Sequence, residues 1–375
     1  MLVVRQIMRV LPMFVLMALL SGSAVLHGQT RDENWKRCGG GDPDRAMEAC
    51  SALVQSGQDA GINLAAVFYD RSLAHAHKGD YDLAIEDYDR AIRLNASLAN
   101  AFAARGVAYA HKRDYDHAIQ DFDQALRLNP NLAEAFYSRG LAYRHKGNND
   151  HAIEDFNQAL RVNPSNAEAY YNRGWAYANK GDNDHAIQDY DQALRLNPSL
   201  LNATYSRGVA YANKGDYDRA ITDYEQALQL NPNLANAYYS LGVVYEHKGN
   251  YDRAIGDYDQ ALRLTPNDAD AFYGRGLAYA RRGYYDQAIQ DYDQTLRINS
   301  NYAAAFYNRS RAYVHKGDFL RSMADHGHFL WLKFGILGIA VRLCILAFAV
   351  ALGIAFKRFQ KRRMPSSAGR RLLSG

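Results

Sequence analysis

The chain has 375 residues, of which 48% are hydrophobic and 22% charged, with 28 Gly but only 8 Pro, which excludes a disordered or collagen-like polymer and permits a large buried interior. Seven of its positive charges fall within residues 357–375 and two more are Arg5 and Arg9. Taking those nine from the total of +4 leaves the chain between them at −5, with no broad basic face for nucleic acid.

Residues 1–29 open with Arg5 and Arg9, run through the apolar stretch Leu11 to Leu20, and turn small and polar at Ser21-Gly-Ser-Ala24. A charged start, a short apolar middle and small residues predict a secretory signal peptide cleaved between Ala24 and Gln29. The alternative is an uncleaved anchor, and both would export the residues beyond it. Cys38 and Cys50 come next, with Gly39-Gly-Gly41 and Pro43 between them. An exported pair can oxidise to a disulfide; the alternative is two free thiols, one packed on an amphipathic helix.

From residue 65 onward the sequence repeats every 34 residues. Gly106, Gly140, Gly174, Gly208, Gly242 and Gly276 keep that step, as do Pro130 through Pro266, Tyr109 through Tyr313 and Ala84 through Ala288. The 28 Tyr, against three Trp, arise from this repetition. In the unit Ala133 to Asn166, residues Phe136, Gly140 and Tyr143 share one helical stripe. Gly147 supplies a turn, and Asp150 precedes a second amphipathic stretch that buries Ala152, Ile153, Phe156, Ala159 and Leu160. Asn163-Pro164 ends it, because proline cannot continue a helix. Gly140 and Ala152 are small where the two helices approach. No such unit can bury both faces alone, so neighbours must stack.

The motif Phe136-x-x-Arg139-Gly140-x-x-Tyr143, with Ala152-x-x-x-Phe156 and Pro164 after it, resembles the tetratricopeptide repeat signature. The resemblance implies an all-α fold, a right-handed α-solenoid of antiparallel helix pairs. It divides the chain into seven units over 65–302 and a degenerate eighth over 303–333. Within 30–64, Asp44 to Leu53 matches a second helix without its partner, so this segment is expected to be an N-terminal cap with a half repeat, stapled by Cys38–Cys50.

The departures from the family pattern are informative. Where the family has leucine before the glycine, this chain has Arg71, Arg105, Arg139, Arg173, Arg207, Arg275 and Arg309, with Leu241 the single reversion. Sixteen residues after each comes an aspartate, Asp87 through Asp325. In the family's helix pair these sites face one another, which implies structural ion pairs such as Arg139–Asp155, Arg173–Asp189 and Arg207–Asp223. The alternative is an arginine ladder that grips ligand carboxylates.

By the same resemblance, the first helix of each pair lines an inner groove. Tyr69, Tyr137, Tyr171, Tyr205, Tyr239, Tyr273 and Tyr307 fall there, with Ala103 the exception. Beside them are Leu73, Val107, Leu141, Trp175, Val209, Val243 and Leu277, then His77, His111, His145, Asn179, Asn213, His247, Arg281 and His315. An apolar strip edged by hydroxyls, amides and imidazoles suits an extended peptide or a partner's helix. The alternative is that the rings pack between repeats. The family's carboxylate clamp is absent, because Tyr, Leu, Val or Trp replaces its Lys and Asn. No metal site is expected: neighbouring helices lie roughly 10 Å apart, too far for the histidines to share an ion.

Phe334 to Phe356 is apolar apart from Arg342 and long enough to span a bilayer. Arg342 costs roughly 2.5–3.5 kcal/mol at a helix centre, which the aliphatic remainder should outweigh. The basic residues from 357 to 375 then form a cytosolic tail by positive-inside reasoning, which leaves the repeats on the exported, periplasmic side of a bacterial inner membrane.

No phosphate loop or nucleophile motif appears, and the acids recur in every unit. The expected function is therefore a non-catalytic, membrane-anchored scaffold for protein or peptide partners, with no cofactor, nucleic acid or small-molecule substrate. A second reading places the repeats in the cytosol, as a tail-anchored co-receptor for chaperones or import substrates. A third makes the chain a subunit of a membrane complex through Arg342.

Overall fold

The computed structural model describes residues 30–335, and their regular structure is entirely helical. The chain divides into two compact units, one up to Ala203 and one from Thr204, with the boundary inside α11 (Leu201–Asn213). The first unit begins with the helical residues 30–38 (α1). It continues with α2 (Pro43–Ser56), α3 (Gly61–Lys78), α4 (Tyr81–Leu94), α5 (Ala99–His111), α6 (Tyr115–Leu128), α7 (Ala133–His145), α8 (Asn149–Val162), α9 (Ala167–Asn179) and α10 (Asn183–Leu196). The second unit holds α12 (Tyr217–Leu230), α13 (Ala235–His247), α14 (Tyr251–Leu264), α15 (Ala269–Arg281), α16 (Tyr285–Ile298), α17 (Ala303–His315) and α18 (Phe319–Phe334). From α2 to α10, and again from α12 to α18, each helix packs on the next, and the first helices of adjacent pairs also touch. This is a solenoid arrangement within each unit.

Local chemistry sets the helix ends. At the end of α7, Gly147 takes φ +75°, the left-handed conformation that glycine adopts without a Cβ penalty. The same turn after α5 is made by Arg113 at φ 62°, the described chain's one non-glycine residue there. The second helix of the pair is capped by Asn148, whose Oδ1 accepts from the His151 amide at 3.3 Å. It closes at Asn163, whose amide donates to the Ala159 carbonyl at 2.8 Å while its own Oδ1 accepts from the Ser165 amide at 3.2 Å.

The two helices of a pair meet glycine against ring. A Cβ on Gly140 would lie 2.8 Å from Cε1 of Phe156, and one on Gly208 equally close to Cε1 of Tyr224. Phe156 is fully buried, as is Ala152 beside it. Only glycine lets the rings lie this close, because packed interiors have no spare volume.

Arginines tie the pairs to one another. Arg139 donates through Nε to Asp155 Oδ2 at 2.8 Å and through Nη2 to Oδ1 at 2.6 Å, a bidentate fork within its own pair. Its third nitrogen, Nη1, reaches Asp123 of the preceding pair. Arg105, Arg275 and Arg309 bridge in the same way to Asp89, Asp259 and Asp293, while Arg173 reaches Asn157 at 2.5 Å. Arg207 forks onto Asp223 at 2.9 and 2.6 Å. Burial pushes the Asp155 carboxyl above its ordinary value, and Arg139 pulls against that. Asp257 shows what happens without the arginine. The buried Leu241 stands where the fork would be, and burial, with help from Glu225, moves the half-buried Asp257 carboxyl up to about 6.

At the N-terminal end, α2 has the partner that its sequence match seemed to lack. Residues 30–38 are helical, and the Cys38–Cys50 disulfide joins them to α2. The match stops at Asp44 because residues 30–38 do not share the repeat's motif. Helix α3 also starts at Gly61, ahead of the unit boundary at 65. At the other end α18 is a full second helix that runs to Phe334, the first residue of the expected span. No described helix is long and apolar enough to cross a membrane. The expected signal peptide (1–29), residues 336–356 of the expected span with Arg342, and the basic tail lie outside the described residues.

Two outcomes are expected. Arg173→Leu should destabilise by roughly 3–5 kcal/mol, because it strands the buried Asp189, and adding Asp189→Leu should recover much of that loss. Chemical denaturation of both single variants and the double variant measures the coupling, and strictly additive losses would show that the fork is not an energetic unit. For Asp257, the folded chain binds the proton more tightly than the unfolded chain, whose ordinary value is 3.8. Stability from this group therefore falls as pH rises between 3.8 and about 6. Asp257→Asn should remove that component, so the gap between variant and parent melting temperatures should widen in the variant's favour from pH 4 to pH 7. A constant gap would exclude it.

Candidate partner-binding face

Residues four apart share one side of a helix, so 137, 141 and 145 on α7 stand in line, as do their counterparts on the other first helices. Three rows result. The tyrosine row is half-buried rather than free-standing, apart from the exposed Tyr307 of the last pair. Apart from Tyr307, each ring leans on the buried aromatic of its own second helix. In the first unit Tyr69 meets Tyr88 at 6.0 Å, Tyr137 meets Phe156 at 5.9 Å and Tyr171 meets Tyr190 at 6.0 Å between ring centres. In the second, Tyr205 meets Tyr224 at 5.6 Å, Tyr239 meets Tyr258 at 5.8 Å and Tyr273 meets Tyr292 at 6.0 Å.

Three hydroxyls reach forward to the next pair. Tyr137 accepts from Asn172 Nδ2 at 3.1 Å, Tyr273 accepts from Asn308 Nδ2 at 2.8 Å, and Tyr205 shares a hydrogen bond with Ser240 Oγ at 3.1 Å. Burial pushes the Tyr137 and Tyr239 phenols up to about 12, so they stay protonated at neutral pH. The tyrosines thus form a fixed wall with polar points along it.

The middle row supplies apolar surface. Leu73, Leu141, Trp175, Val209, Val243 and Leu277 are half-buried, and Val107 is exposed. The outer row is open to solvent: His111, His145, Asn179, Asn213 and His247 are all exposed. The imidazoles are nonetheless held, each flat against a tyrosine of the preceding pair. His111 stacks on Tyr81 at 4.7 Å, His145 on Tyr115 at 5.2 Å and His247 on Tyr217 at 5.3 Å. Burial, aided by Arg144, lowers the His145 pKa, which favours the neutral ring. Among the described residues no group of three or more His, Cys, Asp or Glu could hold a metal ion.

The structure adds a cluster that sequence reasoning passed over. Arg144 lies over the Trp175 ring at 4.8 Å and donates to Asn172 Oδ1, the same amide that donates to Tyr137. The corresponding residue of the other pairs is Ala76, Ala110, Ala178, Ala212, Ala280 or Val314, except for Glu246 in the second unit. Breaks in the repeat were the available signal. In the first unit a cavity of about 400 Å³ opens on this same face beside Ala103, with Val107, Phe122 and Ser138 in its lining.

Residues 205–269, 248–303 and 273–325 match a family model described as Tetratricopeptide repeat. Residues 99–132 and 167–200 match another of the same description, and 73–112 and 140–181 match one described as TPR repeat. No curated protein matches the chain. Among solved structures, MamA is 32% identical over 43% of this chain and 94% of its own, with a TM-score of 0.42. YrrB, described as a TPR protein with an unusual peptide-binding site, is 26% identical over 50% of this chain and 97% of its own, at 0.46. The C-terminal part of a TPR repeat-containing protein from Cytophaga hutchinsonii is 20% identical, covers 63% of this chain and 97% of its own, and shares the fold at a TM-score of 0.53. Matched repeats run through both units, and the chain belongs to the tetratricopeptide repeat family.

Proposed function

We propose that this chain is an exported, membrane-anchored scaffold that receives an extended peptide or a partner's helix on its first-helix face and carries out no chemistry of its own. Chains of this family serve as scaffolds for protein–protein interaction. The observation that carries the finer reading is the three-row face: a fixed tyrosine wall, an apolar middle row and an exposed row of imidazoles and amides, renewed pair after pair. Apolar strips with regularly spaced polar points suit main-chain hydrogen bonding together with side-chain insertion. Because the wall is already held by its own contacts, a partner would lose little order by docking on it.

The export reading is supported by the charged and apolar residues 1–29, the apolar run 334–356 and the basic residues after it. It is also supported by the Cys38–Cys50 disulfide, since such bonds persist in oxidising compartments and are rare in the cytosol.

Each half has its own test. A photoreactive residue at Tyr171 or Tyr205 should crosslink a specific partner, whereas one at the exposed Arg195 of a second helix should not; equal capture from all three positions would argue against the face. Added protease should digest the repeats in intact spheroplasts. Repeats that survive until the membrane is lysed would favour the cytosolic, tail-anchored arrangement instead.

A further inference from the structure

The repeats are near-copies, so a missing side chain marks a place. Along the tyrosine row the one residue that is not tyrosine is Ala103. For six of the row's seven tyrosines the ring rests on the Phe or Tyr 19 residues ahead, at 5.6 to 6.0 Å. In three repeats the hydroxyl also bonds to a polar side chain 35 residues ahead: Tyr137 to Asn172, Tyr205 to Ser240 and Tyr273 to Asn308. Counted from Ala103, the same offsets give Phe122 and Ser138. Both are present, and both line the cavity of about 400 Å³ that opens beside Ala103. Phe122 is fully buried beneath the gap, and the Ser138 hydroxyl has no hydrogen-bond partner among the described residues. The first unit therefore keeps the ring floor and the polar end of a tyrosine site but lacks the tyrosine. Glu134 at the edge is a second acceptor for a phenol hydrogen.

We propose that this cavity is a tyrosine socket, filled by the side chain of a tyrosine on the bound partner, with its ring against Phe122 and its hydroxyl on Ser138. The inference rests on the reading of the first-helix face as the partner surface, and it names the chemistry that one position selects. A phenylalanine could fill the apolar part but would leave Ser138 unbonded, so the site discriminates by one hydroxyl. An aliphatic side chain lacks the flat face that the other six rings present to their neighbours.

The test uses the full chain in detergent, with N-acetyl-tyrosinamide and N-acetyl-phenylalaninamide as probes and saturation-transfer NMR as the readout. The tyrosine amide should bind about tenfold more tightly than the phenylalanine amide, the worth of one net hydrogen bond. Ser138→Ala should bring the two within about twofold. Ala103→Tyr should abolish binding of both and raise the thermal midpoint, because it restores the contacts of the other repeats. Absence of binding to the parent, or equal binding to parent and Ala103→Tyr, would overturn the socket, and so would a lowered midpoint in that variant. None of these readouts needs the natural partner. A failed socket beside successful crosslinking from Tyr205 therefore leaves the scaffold reading standing, and the reverse result separates them the other way.

Discussion

The structure depends on one interaction more than any other: a guanidinium that serves two carboxylates on different repeats. Arg139 grips Asp155 in its own pair with two nitrogens and Asp123 of the pair before it with the third. Arginine can do this because its planar fork offers five donors in fixed directions, whereas lysine offers a single point charge. Burying such a pair against a hydrophobic alternative adds little net stability. What it supplies is register. A repeat shifted along its neighbour would keep the fork onto Asp155 but break the third contact, leaving Nη1 of Arg139 and the half-exposed Asp123 without each other. The glycine–ring contacts fix the distance within each pair, and the arginines fix the relation of one pair to the next.

That register is what gives the first-helix face its regularity. Tyr137 can reach Asn172, and His145 can lie flat on Tyr115, only if adjacent pairs keep the same offset. The side chains that a partner would meet are therefore the ones that hold the pairs together. The loss at Leu241 is instructive here. The pair loses its fork, and the pKa of Asp257 rises, yet Tyr239 still leans on Tyr258 at 5.8 Å. One missing arginine leaves the tyrosine contact in place, because the glycine–ring contact at Gly242 still sets the spacing within that pair.

Much of this was legible in the residues. The 34-residue step makes the helix pairs readable because each pair is written out in full: glycine turn, capping Asp or Asn, buried Ala and aromatic, terminal Asn-Pro. The arginine–aspartate offset of 16 is visible for the same reason. What could not be read is whatever depends on how one pair sits on another. The third arginine contact, the histidine–tyrosine stacks and the forward-reaching tyrosine hydroxyls all join residues about 16 to 35 positions apart across that interface. Arg144 and Ala103 were legible only as oddities; their neighbours in space make the one a cation–π partner of Trp175 and the other the opening of a cavity. Helix α1 left no trace because it does not share the motif.

The two ends of the described chain solve the solenoid's end problem differently. A stack of amphipathic pairs must stop somewhere, and its last pair exposes a face that an inner pair would cover. At the start, that face is closed by covalent chemistry: Cys38 and Cys50 are fully buried together with Leu53 and Val67, and Arg31 pairs with the buried Asp59 at 2.5 Å. At the finish nothing comparable appears among the described residues. Helix α18 leaves Leu320 83% exposed, Phe319 64%, and Trp331 and Phe334 50% each. Phe319 and Leu320 stand at the first turn of α18 and Trp331 and Phe334 at its last, so the exposed apolar surface lies at both ends of the helix. A tryptophan just before an apolar run suits the headgroup layer of a membrane, because its ring is apolar and its N–H polar. On the anchored reading proposed above, the membrane would lie beside the last turn of α18, where the described residues hold no counterpart of the N-terminal staple.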